Sequence, residues 1–310
     1  MSYVAPIKEM QFVLDELAGM REIRKLAGNE DATEETVAAV LEENAKLMAE
    51  VVAPLNRAGD VEPSTWRDGE VKMPPGFKEA FRAFVSGGWQ GVQHPTQYGG
   101  QGLPKVVAAP CIEMLHSANL SFALCPLLTD GAIEALLTAG TEQQKSQYLP
   151  KLIDGTWTGT MNLTEPQAGS DLAQVKARAV AQGDGTYRIS GQKIFITFGE
   201  HDLAENIVHL VLARTPDAPA GVKGISLFLV PKYLVADGSR GARNDVYCAS
   251  IEHKLGIKAS PTAVLIYGDG KFPVGAQPGA IGYLIGEENR GLEYMFIMMN
   301  AARFAVGLEG

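Results

Sequence analysis

The chain has 310 residues, of which 46% are hydrophobic and 20% are charged, a composition typical of a globular protein. Acidic residues outnumber basic ones by 36 to 27, giving a formal net charge of −9, which argues against nucleic acid as a partner because phosphate binding needs clustered lysine and arginine. The three cysteines, Cys111, Cys125 and Cys248, are far apart and the five histidines are scattered, so we expect no disulfide framework, no metal site and a cytoplasmic location.

The first half of the sequence has helical periodicity, and residues 1–155 are predicted to form an N-terminal helical domain. Residues 1–20 contain acidic side chains and no long apolar core, so no signal peptide is expected. Apolar residues recur at helical spacing from Val37 to Leu55, after a capping-box-like start at Asp31 and Glu34. Pro126 and residues 139–141 are interpreted as breaks between later helices. Those helices are predicted at residues 77–85, 106–117, 122–138 and 142–153.

The period changes at Gly155, and residues 156–283 are predicted to form a β domain, either a barrel or a sandwich. Gly183, Asp184 and Gly185 indicate a hairpin turn. The predicted strands are residues 175–180, 187–189, 194–198, 207–212, 225–230 and 263–267. No stretch approaches the roughly 18 unbroken apolar residues of a membrane span.

Helical periodicity returns at Leu292 and continues through Val306. A helix this apolar is normally an interior element, so residues 284–310 are predicted to begin a C-terminal helical domain that the chain does not complete. The predicted fold class is therefore α+β: a helical bundle, then a barrel or sandwich, then the first helix of a truncated helical domain.

The most informative segment is residues 164–171, Thr-Glu-Pro-Gln-Ala-Gly-Ser-Asp, directly after an apolar alternation. A strand that ends in such a turn presents hydroxyls and backbone N–H groups at the mouth of a cleft. Further along, Phe195 and Thr197 share one face of a predicted strand. An isolated hydroxyl-rich turn is more often purely structural. The two segments together favour a site for the polar edge of a flat heterocycle.

These two segments resemble the flavin-binding signatures of the acyl-CoA dehydrogenase family. Residues 88–91 with 98–103, 252–262 and 286–292 are also similar to motifs of that family, in the same order. Residues 3–6 and 10–14 are similar to its longer bacterial branch, which includes 3-methylmercaptopropionyl-CoA dehydrogenases. The resemblance implies that the family's C-terminal helical bundle lies beyond Gly310.

The resemblance also implies where FAD binds. Thr164 and Thr197 are expected to contact the flavin ring through their hydroxyls, and Gly169 to let the backbone approach closely. Phe195 replaces the tryptophan usual in the family, so stacking is retained but an indole N–H is lost. The full set of expected FAD contacts is Met161, Leu163, Thr164, Gly169, Ser170, Phe195, Ile196 and Thr197.

The expected acyl-CoA contacts are Ser170, Asn300 and Arg303. Ser170 lies where the resemblance places phosphates. On chemistry alone, Arg303 is equally compatible with a structural ion pair, because an arginine buried without a partner is costly. The resemblance favours contact with the CoA side of the substrate.

Several charged residues are given structural interpretations. Glu165 and Asp171 could be general bases, but they are interpreted as turn and cap residues, since in the family neither abstracts the proton. Lys254 and Lys258 are interpreted as solvated surface charges, with phosphate contact as the lesser alternative. No residue of this chain is expected to be the catalytic base.

The implied function is FAD-dependent α,β-dehydrogenation of an acyl-CoA, with electrons passed to an electron-transfer flavoprotein. The implied assembly is a homo-oligomer, a dimer or tetramer. Three alternatives stay open: an acyl-CoA oxidase, a DNA-associated flavoprotein of the alkylation-response branch, and a non-catalytic acyl-CoA-binding or scaffold protein. No G-x-G-x-x-G after a strand, P-loop, H-E-x-x-H or G-x-S-x-G motif points to another chemistry.

Overall fold

A computed structural model describes residues 3–310. Met1 and Ser2, which the predicted helical domain and the predicted absence of a signal peptide both include, lie outside the described residues. The chain order is helical domain, β-sheet domain and final helix, which confirms the predicted α+β class. The helices are α1 (Ile7–Phe12), α2 (Met20–Ile23), α3 (Glu34–Leu47), α4 (Leu55–Val61), α5 (Phe77–Ser86), α6 (Lys105–Ala118), α7 (Leu120–Ala139), α8 (Glu142–Ile153) and α9 (Gly291–Glu309).

Two predicted helix boundaries are wrong. Helix α3 is capped by Thr33, whose hydroxyl accepts the N–H of Thr36 at 3.1 Å, and not by Asp31. Pro126 lies inside α7, and the break from α6 occurs at Asn119, whose side chain accepts the N–H of Phe122 at 3.1 Å. In both cases a side chain that can reach a free N–H of the first turn decides where the helix begins.

The β-sheet domain contains an eight-stranded sheet with the order β10-β11-β5-β12-β7-β6-β3, and β4 pairs with β5. The pairs are antiparallel except β3 with β6, which is parallel. The strands are β1 (Thr65–Arg67), β2 (Glu70–Lys72), β3 (Trp157–Asn162), β4 (Arg178–Ala181), β5 (Tyr187–Thr197), β6 (Asn206–Ala213), β7 (Ser226–Pro231), β8 (Tyr233–Ala236), β9 (Ser239–Arg243), β10 (Val246–Ile251), β11 (Thr262–Tyr267) and β12 (Ala280–Ile285).

The hairpin predicted at Gly183–Gly185 is confirmed, since β4 and β5 pair across it. The predicted strands 187–189 and 194–198 are in fact one strand, β5, because its first half pairs with β4 and β12 and its second half with β11. Strands β1, β2, β8, β9, β10 and β12 were not predicted. Each is stabilised by a neighbour that local periodicity does not reveal.

The helical and β-sheet domains share a core in which α7, α8 and α9 pack against β3, β6 and β7. Helix α7 lies so close to β3 that a Cβ on Gly159 would come within 2.4 Å of the Cβ of Ala132. Similarly, a Cβ on Gly131 would come within 2.8 Å of Met298 on α9. Glycines at these two contacts therefore allow the close packing of the three elements.

Helix α7 is long and apolar enough to cross a membrane by length and composition, but 72% of its most apolar window is buried inside the protein. Core helices of globular proteins commonly meet the same criterion. Its contacts with β3, α6 and α9 account for its apolar composition.

Candidate functional site

The first predicted flavin segment forms a compact turn directly after β3. The backbone N–H of Glu165 donates to the carbonyl of Ala168 at 3.0 Å, and the N–H of Ala168 donates back at 3.0 Å. Asp171 then caps a short 3-10 turn by accepting the N–H of Ala173 at 3.0 Å. The interpretation of Asp171 as a cap is confirmed.

The second segment lies at the end of β5, where the strand contains a bulge. The register with β11 shifts between Ala263 and Leu265, opposite Phe195. Phe195 adopts a φ of 59° and is 58% exposed, whereas Ile196 is only 2% exposed. Phe195 and Thr197 therefore lie on the outer face, while the Ile196 side chain packs in the β core.

The structure brings the two segments into direct contact. The N–H of Ile194 donates to the carbonyl of Thr164 at 2.9 Å. The ammonium of Lys193 donates to the carbonyl of Leu163 at 3.0 Å. The pairing that the sequence suggested is therefore a physical contact between the turn and the strand.

The hydroxyls of this region fit a flavin. Within residues 3–310, no hydrogen-bond partner occupies the side-chain oxygens of Thr164, Ser170 or Thr197. Thr164 and Thr197 are half-buried and Ser170 is exposed, and the hydrogen bond between Ile194 and Thr164 brings the turn close to the strand end that carries the exposed ring of Phe195. Hydroxyls and an aromatic ring that are open to solvent on adjoining segments suit a flat, polar-edged ligand such as a flavin.

Beneath the two segments lies a buried ion pair that the sequence analysis missed. Lys193 and Glu165 are 0% and 3% exposed, and Nζ of Lys193 lies 2.8 Å from Oε1 of Glu165. The carboxylate also accepts the N–H groups of Lys176 at 2.7 Å and Ala177 at 3.0 Å. Glu165 thus stabilises the turn through these hydrogen bonds. The sole hint of its partner in the sequence is that Lys193 stands two residues before Phe195.

Burial and electrostatic attraction have opposite effects on the pKa of each partner, and a different one prevails at Glu165 and at Lys193. Burial on its own raises the pKa of Glu165, but the Lys193 ammonium and the two backbone N–H groups outweigh it, so that pKa lies below its ordinary value. For Lys193 burial outweighs the attraction of Glu165 and lowers the pKa to about 8. At pH 7 the site therefore contains a charged pair.

The structure does not place every predicted site residue with this cluster. Arg303 is exposed, not buried, and its Nη1 donates to Oδ1 of Asn300 at 2.9 Å. Arg303 pairs with no carboxylate among residues 3–310, because α9 packs through its opposite face, with Met298 and Ala302 buried, and its contact with CoA stays a prediction. A Cβ on Gly169 would meet only a methyl of Thr164 at 3.9 Å, so no group of this chain requires glycine there.

The lysines of the 252–262 segment are not freely solvated. The Lys254 ammonium donates to the carbonyl of Ser260 and, at 2.9 Å, to the hydroxyl of Thr262. Burial lowers its pKa to about 8. Lys258 pairs with Asp60 at 3.5 Å. The interpretation of Lys254 as a solvated surface charge was therefore wrong, whereas Lys258 is a partly exposed charge in an ion pair at the surface.

A separate cavity of about 60 Å³ lies inside the helical domain, closed on one side by Ala301 and Ala305 of α9. Oδ1 of Asn44 and both ring nitrogens of His116 are buried there without a partner among residues 3–310. Burial lowers the pKa of His116, so the imidazole is neutral at pH 7. No sequence pattern predicts this cavity, because its lining comes from helices that are distant along the chain. Within the described residues, no three His, Cys, Asp or Glu side chains are grouped to hold a metal.

Two family models match the chain. Residues 33–156 match the N-terminal domain of acyl-CoA dehydrogenases, and residues 160–269 match the middle domain. The chain belongs to the acyl-CoA dehydrogenase family. The resemblance of the sequence motifs is thereby confirmed, and the members of this family are oxidoreductases that act on CH–CH groups.

Individual relatives support the same assignment. The chain is 53% identical to 3-methylmercaptopropionyl-CoA dehydrogenase of Ruegeria pomeroyi, over 100% of this chain and 51% of that protein. It is 36% identical to the broad-specificity linear acyl-CoA dehydrogenase FadE5 of Mycobacterium tuberculosis, over 99% of this chain and 50% of that protein. The chain spans about half the length of these relatives.

Among solved structures, an acyl-CoA dehydrogenase from Bacillus anthracis in complex with FAD superposes with a TM-score of 0.69 at 25% identity, covering 90% of this chain and 42% of that chain. The ACDH-11 protein of Caenorhabditis elegans, in complex with C11-CoA, superposes with a TM-score of 0.74 at 21% identity, covering 99% of this chain and 51% of that chain. The second similarity concerns the fold alone.

Proposed function

We propose that the whole protein is an FAD-dependent acyl-CoA dehydrogenase that converts an acyl-CoA thioester to the enoyl-CoA and passes the electrons to an electron-transfer flavoprotein. Membership of the family supports the reaction class. The contact between the turn after β3 and the end of β5, which brings solvent-accessible hydroxyls and the exposed ring of Phe195 onto adjoining segments, supports FAD as the cofactor.

The residues of this chain are proposed to bind FAD and to orient it. Thr164 and Thr197 are proposed to hydrogen-bond the polar edge of the ring, together with backbone groups near Met161 and Leu163. Phe195 is proposed to cover part of the ring, with Ile196 contributing through its backbone. Gly169 and Ser170, both exposed at the end of the turn, are proposed to lie against phosphates. When bound, FAD supplies the hydride acceptor for the substrate's β-hydrogen.

We propose that neither carboxylate of the turn is the base that removes the α-proton. Glu165 is only 3% exposed, and its oxygens already accept from Lys193 and from two backbone N–H groups. Its lowered pKa also makes it a poor proton acceptor near neutral pH. Asp171 is committed to its cap. The base is proposed to belong to another part of the whole protein.

The substrate and partners follow from the same proposal. Asn300 and Arg303 form an exposed, hydrogen-bonded pair on α9 that can contact the CoA part of the substrate. The proposed assembly is a cytoplasmic homo-oligomer, a dimer or tetramer, without nucleic acid as a partner. The excess of acidic residues, 36 against 27 basic ones, supports the last point.

The double substitution Thr164→Val and Thr197→Val tests the cofactor site. It preserves shape and deletes two hydrogen bonds worth about 0.5–1.5 kcal/mol each, so FAD affinity of the whole protein is expected to fall about 5- to 150-fold. Titration followed by flavin fluorescence measures the change. Thr138→Val is the control, since the Thr138 hydroxyl is exposed and bonds only to Glu134 of its own helix. Unchanged affinity in the double variant would contradict the assignment.

Activity is tested by anaerobic mixing of the whole protein with a panel of acyl-CoAs, following bleaching of the flavin absorbance. Bleaching by one acyl-CoA, and reoxidation by an electron-transfer flavoprotein faster than by oxygen, is the expected result. Rapid reoxidation in air alone would instead indicate an oxidase. Absence of bleaching with every acyl-CoA would contradict the dehydrogenase proposal.

A further inference from the structure

The Lys193–Glu165 pair connects three separate parts of the β-sheet domain. Lys193 belongs to β5, the strand that ends in Phe195 and Thr197. Its ammonium donates to both the carbonyl of Leu163 at 3.0 Å and the carboxylate of Glu165 at 2.8 Å, so it binds the turn at two points. The ammonium thereby ties the strand to the turn.

Glu165 extends the connection to the segment between the turn and β4. One oxygen accepts from Lys176 and from the amide of Gln167, at 2.7 and 2.6 Å, and the other from Ala177 at 3.0 Å. A single buried carboxylate thus fixes the turn, the following segment and the strand relative to one another.

Stability alone is a poor explanation for this pair. Removing two charges from water is costly, and apolar pairs of similar volume often stabilise a fold equally well or better. Fixing relative positions is a function for which a directional pair is better suited than apolar contact. The bulge at Phe195 makes such fixing necessary, because it interrupts the regular pairing of β5 with β11 at the position where the strand carries its exposed ring.

We propose that Lys193 and Glu165 are positioning residues that hold the Thr164 turn against the Phe195–Thr197 strand end in the one relative position in which both can contact the flavin. This inference rests on the proposed function for the identity of the ligand. The N–H of Ile194, which donates to Thr164 at 2.9 Å, is the direct link that the pair protects.

The first test is amide hydrogen exchange of the whole protein without FAD. In the double variant Lys193→Met with Glu165→Gln, the amide of Ile194 is expected to exchange at least tenfold faster. Ile194 is diagnostic because it does not bond to either partner of the pair. The internal control is the amide of Lys232, which donates to Ile207 at 2.8 Å at the other end of β6.

The second test is FAD binding by the whole protein. The same double variant is expected to lose at least tenfold in FAD affinity and to lose part of the shift of the flavin absorbance band on binding. The matched control is Lys232→Met with Glu200→Gln, which removes another, partly buried ion pair of the same domain. That control is expected to lower stability and leave both flavin readouts unchanged.

Glu165→Asp is a second variant for the case in which the double variant does not fold. It keeps the charge but shortens the carboxylate by one methylene, so it cannot hold Lys193 and both backbone N–H groups together. An intermediate loss of FAD affinity is expected.

The outcomes separate this proposal from the proposed function. Unchanged exchange at Ile194, or faster exchange with unchanged FAD affinity, overturns the positioning role. A flavin loss of equal size in the Lys232 and Glu200 control also overturns it. A wild-type protein that binds no FAD contradicts the proposed function, and with it the flavin role of the pair, while Ile194 exchange still decides whether the pair joins the two segments.

Discussion

Two ion pairs, one buried and one partly buried, lie at opposite ends of β3 and β6, and their surroundings differ. Lys193–Glu165 lies where β3 ends, beneath hydroxyls that have no partner among the described residues. Lys232–Glu200 lies where β3 and β6 begin, beside Thr158, which bonds to Nε2 of His201 at 3.0 Å. The Thr158 hydroxyl is used within the fold, whereas those of Thr164 and Thr197 are left available for a ligand.

The two carboxylates also differ in charge balance. Glu165 accepts two backbone N–H groups and the Lys193 ammonium, and its pKa lies below the ordinary value. Burial dominates at Glu200, where it outweighs the attraction of Lys232 and Arg243 and one backbone N–H, and the pKa is raised. Glu165 therefore stays ionised to a lower pH, whereas Glu200 accepts a proton more readily.

The largest expected effect is a difference in the free energy of unfolding between variants of the two ion pairs. Lys193→Met leaves Glu165 charged and buried, and is expected to lower the free energy of unfolding at pH 7 by about 3–5 kcal/mol. Lys232→Met is expected to cost less, because Glu200 can be neutralised by a proton. Urea unfolding of both variants checks this order. Equal losses would show that the two carboxylates do not differ in this way.

The dependence of stability on pH in the alkaline range also distinguishes the two ion pairs. The folded pKa of Lys193 is about 8 and its unfolded value about 10.5. As pH rises, the native chain therefore releases this proton before the unfolded chain does. The contribution of Lys193 to stability increases between pH of about 8 and 10.5 and is lost as pH falls through 8. Relative to Lys193→Met with Glu165→Gln, wild-type stability is expected to rise by about 2 kcal/mol from pH 8 to 9.5.

Urea unfolding at several pH values measures this slope. The control variant without the Lys232–Glu200 pair retains Lys193, so it is expected to keep the wild-type slope. A difference between wild type and the Lys193 variant that does not change with pH would contradict the assignment.

A smaller effect distinguishes the hydroxyls at the two ends of β3. Thr158→Val deletes the partner of a buried imidazole nitrogen of His201 and is expected to cost about 1–3 kcal/mol. Thr164→Val removes a hydroxyl without a partner and is expected to change stability by less than about 0.5 kcal/mol. Thermal unfolding of both variants without FAD provides the measurement. A large loss for Thr164→Val would show that its hydroxyl has a structural role.

The last expected effect is a gain in stability and concerns backbone strain at the ligand end. Phe195 has a φ of 59°, a region that glycine adopts freely, and its ring is 58% exposed. Phe195→Gly is expected to raise the free energy of unfolding by about 1 kcal/mol. Phe198 has a φ of 51° but is buried, so Phe198→Gly is expected to destabilise the chain. Urea unfolding tests both, and a loss of stability in Phe195→Gly would contradict the strain argument.

The sequence by itself determined the features that depend on neighbouring residues. The change of period at Gly155 predicted helices followed by a β sheet, Gly183–Gly185 marked a hairpin, and Asp171 was identified as a cap. The ordered motifs also identified the family. In each case the physical cause, whether side-chain periodicity, turn chemistry or a local hydrogen bond, acts over a few residues and is therefore visible in the linear chain.

Only the tertiary structure decided the features that depend on distant partners. It joined β5 into one strand, left Arg303 at the surface and paired Lys193 with Glu165. These outcomes depend on which elements lie next to each other, and sequence spacing carries no record of that. The unpartnered hydroxyls of Thr164 and Thr197 belong to the same class, because a side chain can be recognised as lacking a partner only once every neighbour in space is known.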